Sequence, residues 1–346
     1  MNNGVTYSAG YLRGASFFSS NLEAITAGSY DVAILVPSWD RRSVCITRAT
    51  QFRAQLGIVV VFDDRDDKGM RDEHDPLVLE FAERTCETVS ILHGSTASLE
   101  QLWSDVLSLI VNQHDQLRRP LRIFVDGSAC TRYLLLGVVA TTLSSGLASD
   151  VSAMYAEGTY IPSDGLDERI IFTDGQWKSL PIPGLEGKYR PGLGRFYLVS
   201  IGFEGWKTMR AVTRADPDRV SILHGNPGTK SEYTNRSLLE NAPLIEHFQV
   251  PSAQIVQAPA GDAIAAWRAL SIASVERPRD ENCYFLCSGT KAHSLALGLR
   301  AMSLQTPAVI YNLPEAHRVL PIEPNGRFWR FDIRSLTVPR VNVAED

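Results

Sequence analysis

The chain of 346 residues is long enough for two domains of ordinary size. Hydrophobic residues make up 44% of it and charged residues 21%, which is typical of a folded globular protein and argues against extensive disorder. The formal net charge of -5 gives no reason to expect direct binding to long nucleic acids, although one local basic pocket remains compatible with it.

The start of the chain, the longest apolar segment and the cysteines favour a cytoplasmic protein. The stretch MNNGVTYSAGYLRGASFFSSN lacks the basic residues and continuous apolar run of a signal peptide. The apolar segment at 133–148 is shorter than the roughly 20 residues that cross a bilayer, so we expect a buried helix and no membrane association. Five cysteines, mostly in strand-like or helix-like surroundings, suit a reducing compartment, and their spacing is not that of a metal site.

Short, continuously apolar runs recur along both halves of the chain, with helix-like segments between them. This pattern is typical of strands in a mostly parallel sheet that is covered on both faces. We therefore predict a Rossmann-like unit in each half. The runs of the first half lie at 30–39, 57–64, 88–94, 121–128 and 150–158, and those of the second half at 195–206, 219–228, 253–261, 282–291 and 306–316.

The two series of runs can be aligned in order. The fourth run leads into VDGSACTRYLLLGVVA in one half and into LCSGTKAHSLALGLRA in the other, and the fifth ends at Tyr155 or Tyr311. The predicted fold class is therefore α/β, with two Rossmann-like parallel-sheet units related by internal duplication. Two unrelated α/β domains, or one large sheet, are the alternatives.

The stretch between the two series is rich in glycine and proline, as linkers are. We predict an N-terminal Rossmann-like unit at 1–190, which includes this linker and a small hairpin at about 160–190. The C-terminal Rossmann-like unit is predicted at 191–346.

Small and polar residues follow the fourth predicted strand of each unit. Open parallel sheets bind ligands at the carboxyl ends of their strands, where unpaired N–H groups of the next helix stabilise anions. We therefore predict a phosphate-binding wall. In the alternative interpretation, glycine only permits a tight turn and the hydroxyls only cap helices. The predicted residues are Ser128, Thr131 and Arg132 in the first unit and Ser288, Gly289, Thr290, Lys291 and His293 in the second.

Polar turns with tryptophan and a basic residue follow the first predicted strand of each unit, as SWDRRSV and FEGWKTM. We predict that they form the opposite wall of the site, with the two tryptophans stacking on a base. The predicted residues are Ser38, Trp39 and Arg41 in the first unit and Gly202, Glu204, Trp206 and Lys207 in the second.

Two other motifs are weaker. The segment GNPGTKS at 225–231 lacks the spacing of a mononucleotide P-loop, so it is either another ligand loop or an ordinary turn. The acidic segment at 62–75 has adjacent aspartates of the kind that hold Mg²⁺, but its basic residues favour a solvated loop. We predict no metal site.

The element at 283–302 resembles the fourth-strand motif of CRISPR-associated Rossmann-fold (CARF) domains. In that family a Gly-Thr-Lys-type turn before an apolar helix faces a cyclic oligonucleotide, on the axis between two Rossmann units. The resemblance implies two fused copies in this chain and a context of bacterial antiviral signalling. The chain departs from the family where Gly289 replaces a pair of glycines and where DGSACTR replaces the Thr-Lys form, so an asymmetric site is implied.

We expect a sensor that binds a nucleotide-like small molecule, with any effector being a separate protein, since no effector domain is recognisable in the sequence. One alternative is an enzyme acting on a phosphodiester or a sugar phosphate, in which Glu204 or His293 supplies acid–base chemistry. The other is an adaptor whose helices bind a partner. The sequence identifies neither a cofactor nor a catalytic residue.

Overall fold

The computed structural model describes residues 7–12, 15–22, 26–63, 68–160, 172–272, 281–318 and 322–335. Within these ranges the chain forms two mostly parallel sheets flanked by helices. The strands are β1 (Tyr7–Leu12), β2 (Ala15–Leu22), β3 (Thr26–Leu35), β4 (Thr50–Phe62), β5 (Cys86–Gly94), β6 (Leu121–Asp126), β7 (Ala148–Tyr160), β8 (Thr173–Pro181), β9 (Gly194–Ser200), β10 (Arg219–Gly225), β11 (Ile255–Ala258), β12 (Glu281–Cys287), β13 (Ala308–His317) and β14 (Ile322–Ser335). The helices are α1 (Cys45–Ala49), α2 (Lys68–Thr85), α3 (Leu99–Leu117), α4 (Arg132–Ser144), α5 (Gly205–Ala215), α6 (Ser231–Glu240), α7 (Ala242–His247), α8 (Ala263–Ile272) and α9 (Lys291–Leu304).

The two sheets repeat one topology. The first has the order β1-β2-β14-β7-β6-β3-β4-β5, and the second has the order β11-β10-β9-β12-β13-β8. In each sheet five strands run parallel, and numbered within their own unit they have the Rossmann-like order 3-2-1-4-5. The predicted fold class, a pair of duplicated Rossmann-like units, is confirmed.

The two units exchange their outer strands. Strand β8 follows the first unit in the chain but pairs antiparallel with β13 of the second. Strand β14 follows the second unit but pairs antiparallel with β7 of the first. The hairpin predicted at about 160–190 falls partly on 161–171, outside the described residues, and β8 itself pairs with β13. The boundary near residue 190 stays a prediction.

The hydrophobic core is continuous between the units. Helix α4 is buried along almost its whole length, as expected for an apolar segment at this place, and it packs on α9 of the other unit. One cluster of buried side chains includes Leu136 of α4 and Leu297 of α9, together with residues of both sheets. No helix in the described ranges is long and apolar enough to cross a membrane. The shared core holds the strand ends of the two units against each other.

Sequence analysis did not identify β14, although its pattern is legible. In FWRFDIR, Trp329, Phe331 and Ile333 are buried and alternate with Arg330 and Asp332. Alternation with period two indicates a strand with one buried face, unlike the continuously apolar runs of the parallel strands.

The exchanged strand β14 contributes strongly to stability. Phe331 is 2% exposed and lies opposite Ala153 of β7, so we expect Phe331→Ala to lower the free energy of unfolding by about 3–5 kcal/mol. Urea denaturation measures this loss. The matched control is Ile272→Ala, because Ile272 is 80% exposed and its truncation should change stability by about 0.5 kcal/mol or less. Equal losses in the two variants would contradict the placement of β14 in the core.

Candidate functional site

The carboxyl ends of the central strands of both sheets open into one cavity of about 310 Å³. Its wall comes from both units, as expected for parallel sheets whose binding loops face each other. The lining residues are Ser38, Trp39, Asp40, Arg42, Ser128, Ala129, Cys130, Thr131, Arg132, Tyr155, Gly158, Tyr160, Phe172, Thr173, Trp177, Ile201, Gly202, Phe203, Glu204, Gly225, Thr229, Tyr233, Ser237, Ala260, Cys287, Ser288, Gly289, Thr290, Lys291, Tyr311, Asn312, Pro314, His317, Arg318 and Ile322.

The duplicated turns begin their helices in the same way. Thr131 caps α4 by accepting the N–H of Leu134, and Thr290 caps α9 by accepting the N–H of His293. The next residue in each case, Arg132 or Lys291, is the first of its helix. The two basic residues that matched in the sequence therefore occupy equivalent positions.

These two basic side chains reach across to the opposite turn. The Lys291 ammonium donates to the carbonyls of Gly127, at 2.5 Å, and of Ser128. The Arg132 guanidinium donates to the carbonyl of Gly289. Each unit thus supplies the cation that satisfies the turn of the other, and both turns face one cavity.

Close backbone approach explains the glycines of the second turn. A Cβ on Gly289 would lie 2.9 Å from the Ile201 carbonyl oxygen, and a Cβ on Gly202 would lie 2.6 Å from that of Ser288. A side chain at either position would force the loops after β9 and β12 apart.

Four cations line the cavity, and they differ in their partners. Arg42 forms an ion pair with Asp40 at 2.5 Å, and Arg318 pairs with Asp174 at 2.7 Å. Burial alone would raise the pKa of Asp40, but the Arg42 guanidinium outweighs it and holds that pKa below its usual value.

Arg132 and Lys291 contact carbonyl oxygens, and neither has a carboxylate within ion-pair distance in the described ranges. The nearest partners of these two cations, one from each unit, are thus carbonyl oxygens of the duplicated turns, and the carboxylates of Asp40 and Asp126 act on Lys291 from beyond ion-pair distance.

Burial changes the titration of the groups around these turns. It lowers the pKa of Lys291 to about 7, with the charges of Arg42 and Arg132 adding to the effect. Burial likewise raises the pKa of Asp126 to about 7. Asp126 is 1% exposed, does not line the cavity, and accepts the N–H of Ser128 at 2.8 Å. Its carboxyl group therefore shapes the first turn and does not face a ligand.

Several buried polar atoms of the cavity wall lack a protein partner in the described ranges. They are Ser288 Oγ, Arg132 Nε and Asn312 Nδ2. Asn312 is 7% exposed, and its Oδ1 accepts from Ser179 Oγ at 3.0 Å. Buried polar groups are normally hydrogen-bonded, so these atoms indicate room for a polar ligand or water.

An aromatic cluster lines the cavity next to the loops that follow β9 and β10, and its rings come from both units and the linker. It consists of Tyr160, Phe172, Phe203 and Tyr233, and we call it the aromatic box. The ring centroids of Tyr160 lie 5.0, 5.8 and 5.7 Å from those of Phe172, Phe203 and Tyr233. The Tyr233 hydroxyl also accepts the N–H of Tyr160 at 3.0 Å, which holds the box together.

Most of the residues predicted from sequence meet at this cavity. Ser128 and Thr131 use their hydroxyl groups to accept backbone N–H groups, which leaves Ser288 as the hydroxyl without a described partner. The predicted residues that line the cavity are Ser38, Trp39, Ser128, Thr131, Arg132, Gly202, Glu204, Ser288, Gly289, Thr290 and Lys291.

Four predicted residues lie outside the lining. Arg41 is exposed and pairs with Glu323 at 2.5 Å, and Trp206 is 46% exposed on α5. Lys207 is buried and donates to Thr173, although its ammonium lies 3.6 Å from Glu204 of the wall. His293 is buried against the carbonyl of Pro259, and burial lowers its pKa to about 4, so it is uncharged at neutral pH.

Some lining residues were missed, although the sequence carried a signal for part of them. Tyr155 and Tyr311 end matching strands in the two halves, and both line the cavity. Phe203 and Glu204 stand where Trp39 and Asp40 stand in the first unit, so Phe203, not Trp206, is the counterpart of Trp39. Phe172 comes from the linker, and no strand pattern pointed to it.

The acidic segment falls largely outside the described residues, which omit 64–67. Elsewhere in the described chain, no group of three or more His, Cys, Asp or Glu side chains is placed to hold a metal ion. Thr229 of the GNPGTKS segment reaches the cavity, where it donates to Glu157 at 3.0 Å.

The buried carboxyl of Asp126 predicts a pH-dependent stability. Its pKa is about 7 in the folded chain and 3.8, the ordinary value, in the unfolded one, so folding takes up a proton between these values. The contribution of Asp126 to the free energy of unfolding therefore falls as pH rises from 4 to 7, by about 1–4 kcal/mol. In Asp126→Asn this fall should vanish, which urea denaturation at several pH values measures. Asp115→Asn, at an exposed carboxylate, is the control. The prediction is contradicted if the difference in free energy of unfolding between wild type and Asp126→Asn does not change with pH.

Comparisons with known proteins place the chain in no described family. No family model matches it, and no curated protein matches it. Among solved structures, a functionally unknown protein, PA1789 from Pseudomonas aeruginosa PAO1, shares 12% identity over 83% of this chain and 93% of its own. The TM-score of that match is 0.25, so it adds nothing to the account of the site.

Proposed function

We propose that this protein is a sensor that binds a nucleotide-type anionic ligand in the cavity between its two units. The observation that carries the proposal is the meeting of Arg132 and Lys291, one from each duplicated turn, with no described carboxylate within ion-pair distance of either. A phosphate between the turns would supply that charge and accept hydrogen bonds from both cations.

The rest of the wall suits a nucleotide better than a bare anion. The helices α4 and α9 both begin at the cavity, so their positive dipole ends add to the two cations. The aromatic box offers apolar ring surface for a base. A volume of about 310 Å³ lies at the lower end of the range of small-molecule sites, roughly 300–1,000 Å³, which favours a mononucleotide-sized ligand.

Ligand binding has an evident means of altering the protein. The anion would compete with the carbonyls of Gly127, Ser128 and Gly289 for Lys291 and Arg132, and so replace the contacts that now join the two turns. The proposal includes the resemblance to CARF domains. In it, the altered turn geometry is read by a separate effector protein in bacterial antiviral signalling.

Binding of nucleotides tests the proposal. We expect adenosine or guanosine mononucleotides to raise the melting temperature of the wild-type protein, and we expect Lys291→Ala and Arg132→Ala to abolish most of that rise. Lys188→Ala is the matched control, because Lys188 is exposed in the loop before β9. A Lys291→Ala protein that still folds, by circular dichroism, but binds as well as the control would overturn the proposal, as would the absence of any shift in the wild type at millimolar ligand.

A further inference from the structure

We infer that the cavity takes an asymmetric ligand with one base, which lies in the aromatic box while its phosphate lies between the duplicated turns. The inference rests on the proposed function and specifies it: the ligand is a nucleoside monophosphate rather than a two-fold symmetric cyclic dinucleotide. It is carried by the placement of the aromatic rings and of the charges on the two sides of the cavity.

Among the described residues, no matching cluster of four rings surrounds Trp39 on the first-unit side. Phe203 contacts Tyr160 and Tyr233, with the centroids of Phe203 and Tyr233 5.4 Å apart. Trp39 is the first-unit counterpart of Phe203, and it forms no ring pair with another aromatic side chain of the described ranges. A base next to Phe203 therefore meets four clustered rings, whereas one next to Trp39 meets that ring and Tyr155, whose hydroxyl accepts from Arg42 of an ion pair.

The charged groups of the cavity wall indicate where the base and the phosphate of the ligand lie. Glu204 lines the cavity next to the box, where Oε1 accepts the N–H of Phe172 at 3.2 Å and of Thr173 at 3.0 Å. The other charged groups near this end are Lys207, the Arg318–Asp174 pair and Lys230, whose ammonium lies 5.6 Å from the centroid of the Tyr233 ring. Lys207 is occupied by Thr173 and Glu204, and Lys230 lies 3.7 Å from Glu232. A carboxylate repels a phosphate but accepts hydrogen bonds from the amino groups of a base. The phosphate is thus directed to Arg132 and Lys291.

The first-unit side also carries a buried ion pair, Arg42 with Asp40 at 2.5 Å, which is closer than the 3.6 Å between Lys207 and Glu204 beside the box. Arg42 donates to both carboxylate oxygens of Asp40 and, at 3.2 Å, to the Tyr155 hydroxyl. Breaking such a buried pair to admit a second base is costly, because it leaves an uncompensated charge. The arrangement favours one base per chain.

The test compares four probes by isothermal titration calorimetry: adenosine and guanosine 5′-monophosphate, ribose 5-phosphate, and cyclic di-adenosine monophosphate. We expect the better of the two mononucleotides to bind more tightly than the other two probes. Phe203→Leu and Tyr233→Leu should each weaken its binding about 5- to 100-fold, the effect of removing an aromatic stacking surface. Binding of ribose 5-phosphate should change by less than about twofold in these variants, since it carries no base.

Tyr189→Leu is the matched control, because it removes a tyrosine that is 69% exposed, away from the cavity. This variant should bind the mononucleotide within about twofold of wild type. If cyclic di-adenosine monophosphate binds at least as tightly as the mononucleotides, or if Phe203→Leu and Tyr233→Leu bind like Tyr189→Leu, the inference is wrong while the proposed function stands. If no probe binds, or if Lys291→Ala leaves all binding intact, the proposed function itself fails.

Discussion

The site depends on two cationic side chains, each of which reaches from its own turn to the backbone carbonyls of the turn in the other unit. Lys291 donates to the carbonyls of Gly127 and Ser128, and Arg132 donates to the carbonyl of Gly289. Carbonyl dipoles satisfy the hydrogen-bonding capacity of a cation but do not neutralise its charge, and burial accordingly lowers the pKa of Lys291 to about 7. The turns are therefore joined by bonds that an anion can replace.

The architecture holds this contact in place. Strand β8 extends the sheet of the second unit, and β14 extends the sheet of the first. Helices α4 and α9 share one core, so the two turns cannot separate without disrupting buried surface. Rigid sheets that present short loops are the usual support for a binding site. The asymmetry of the site arises where the copies differ, in Phe203 against Trp39 and in the linker residues that reach the cavity.

The sequence was informative wherever a local pattern decides the structure. Continuously apolar runs predicted the ten parallel strands, and the small residues before Arg132 and Lys291 predicted the two turns at the cavity. The exchange of β8 and β14 was not predictable, because strand partners depend on contacts between residues far apart in the chain. The same limit applies to Lys207 and His293: a basic residue next to a turn has the same pattern whether it enters a cavity or packs inward, and only packing decides which.

The most direct test of the central claim is to locate a phosphate in the protein. A crystal structure with a nucleoside 5′-thiophosphate, whose sulfur is identified by its anomalous signal, makes this measurement. The account predicts one sulfur peak per chain, additional to those of the cysteines and methionines, between the turns at 127–132 and 288–291 and within hydrogen-bonding distance of Arg132 and Lys291. A bound nucleotide whose sulfur lies elsewhere, with both side chains still on the carbonyls of the opposite turn, would contradict it.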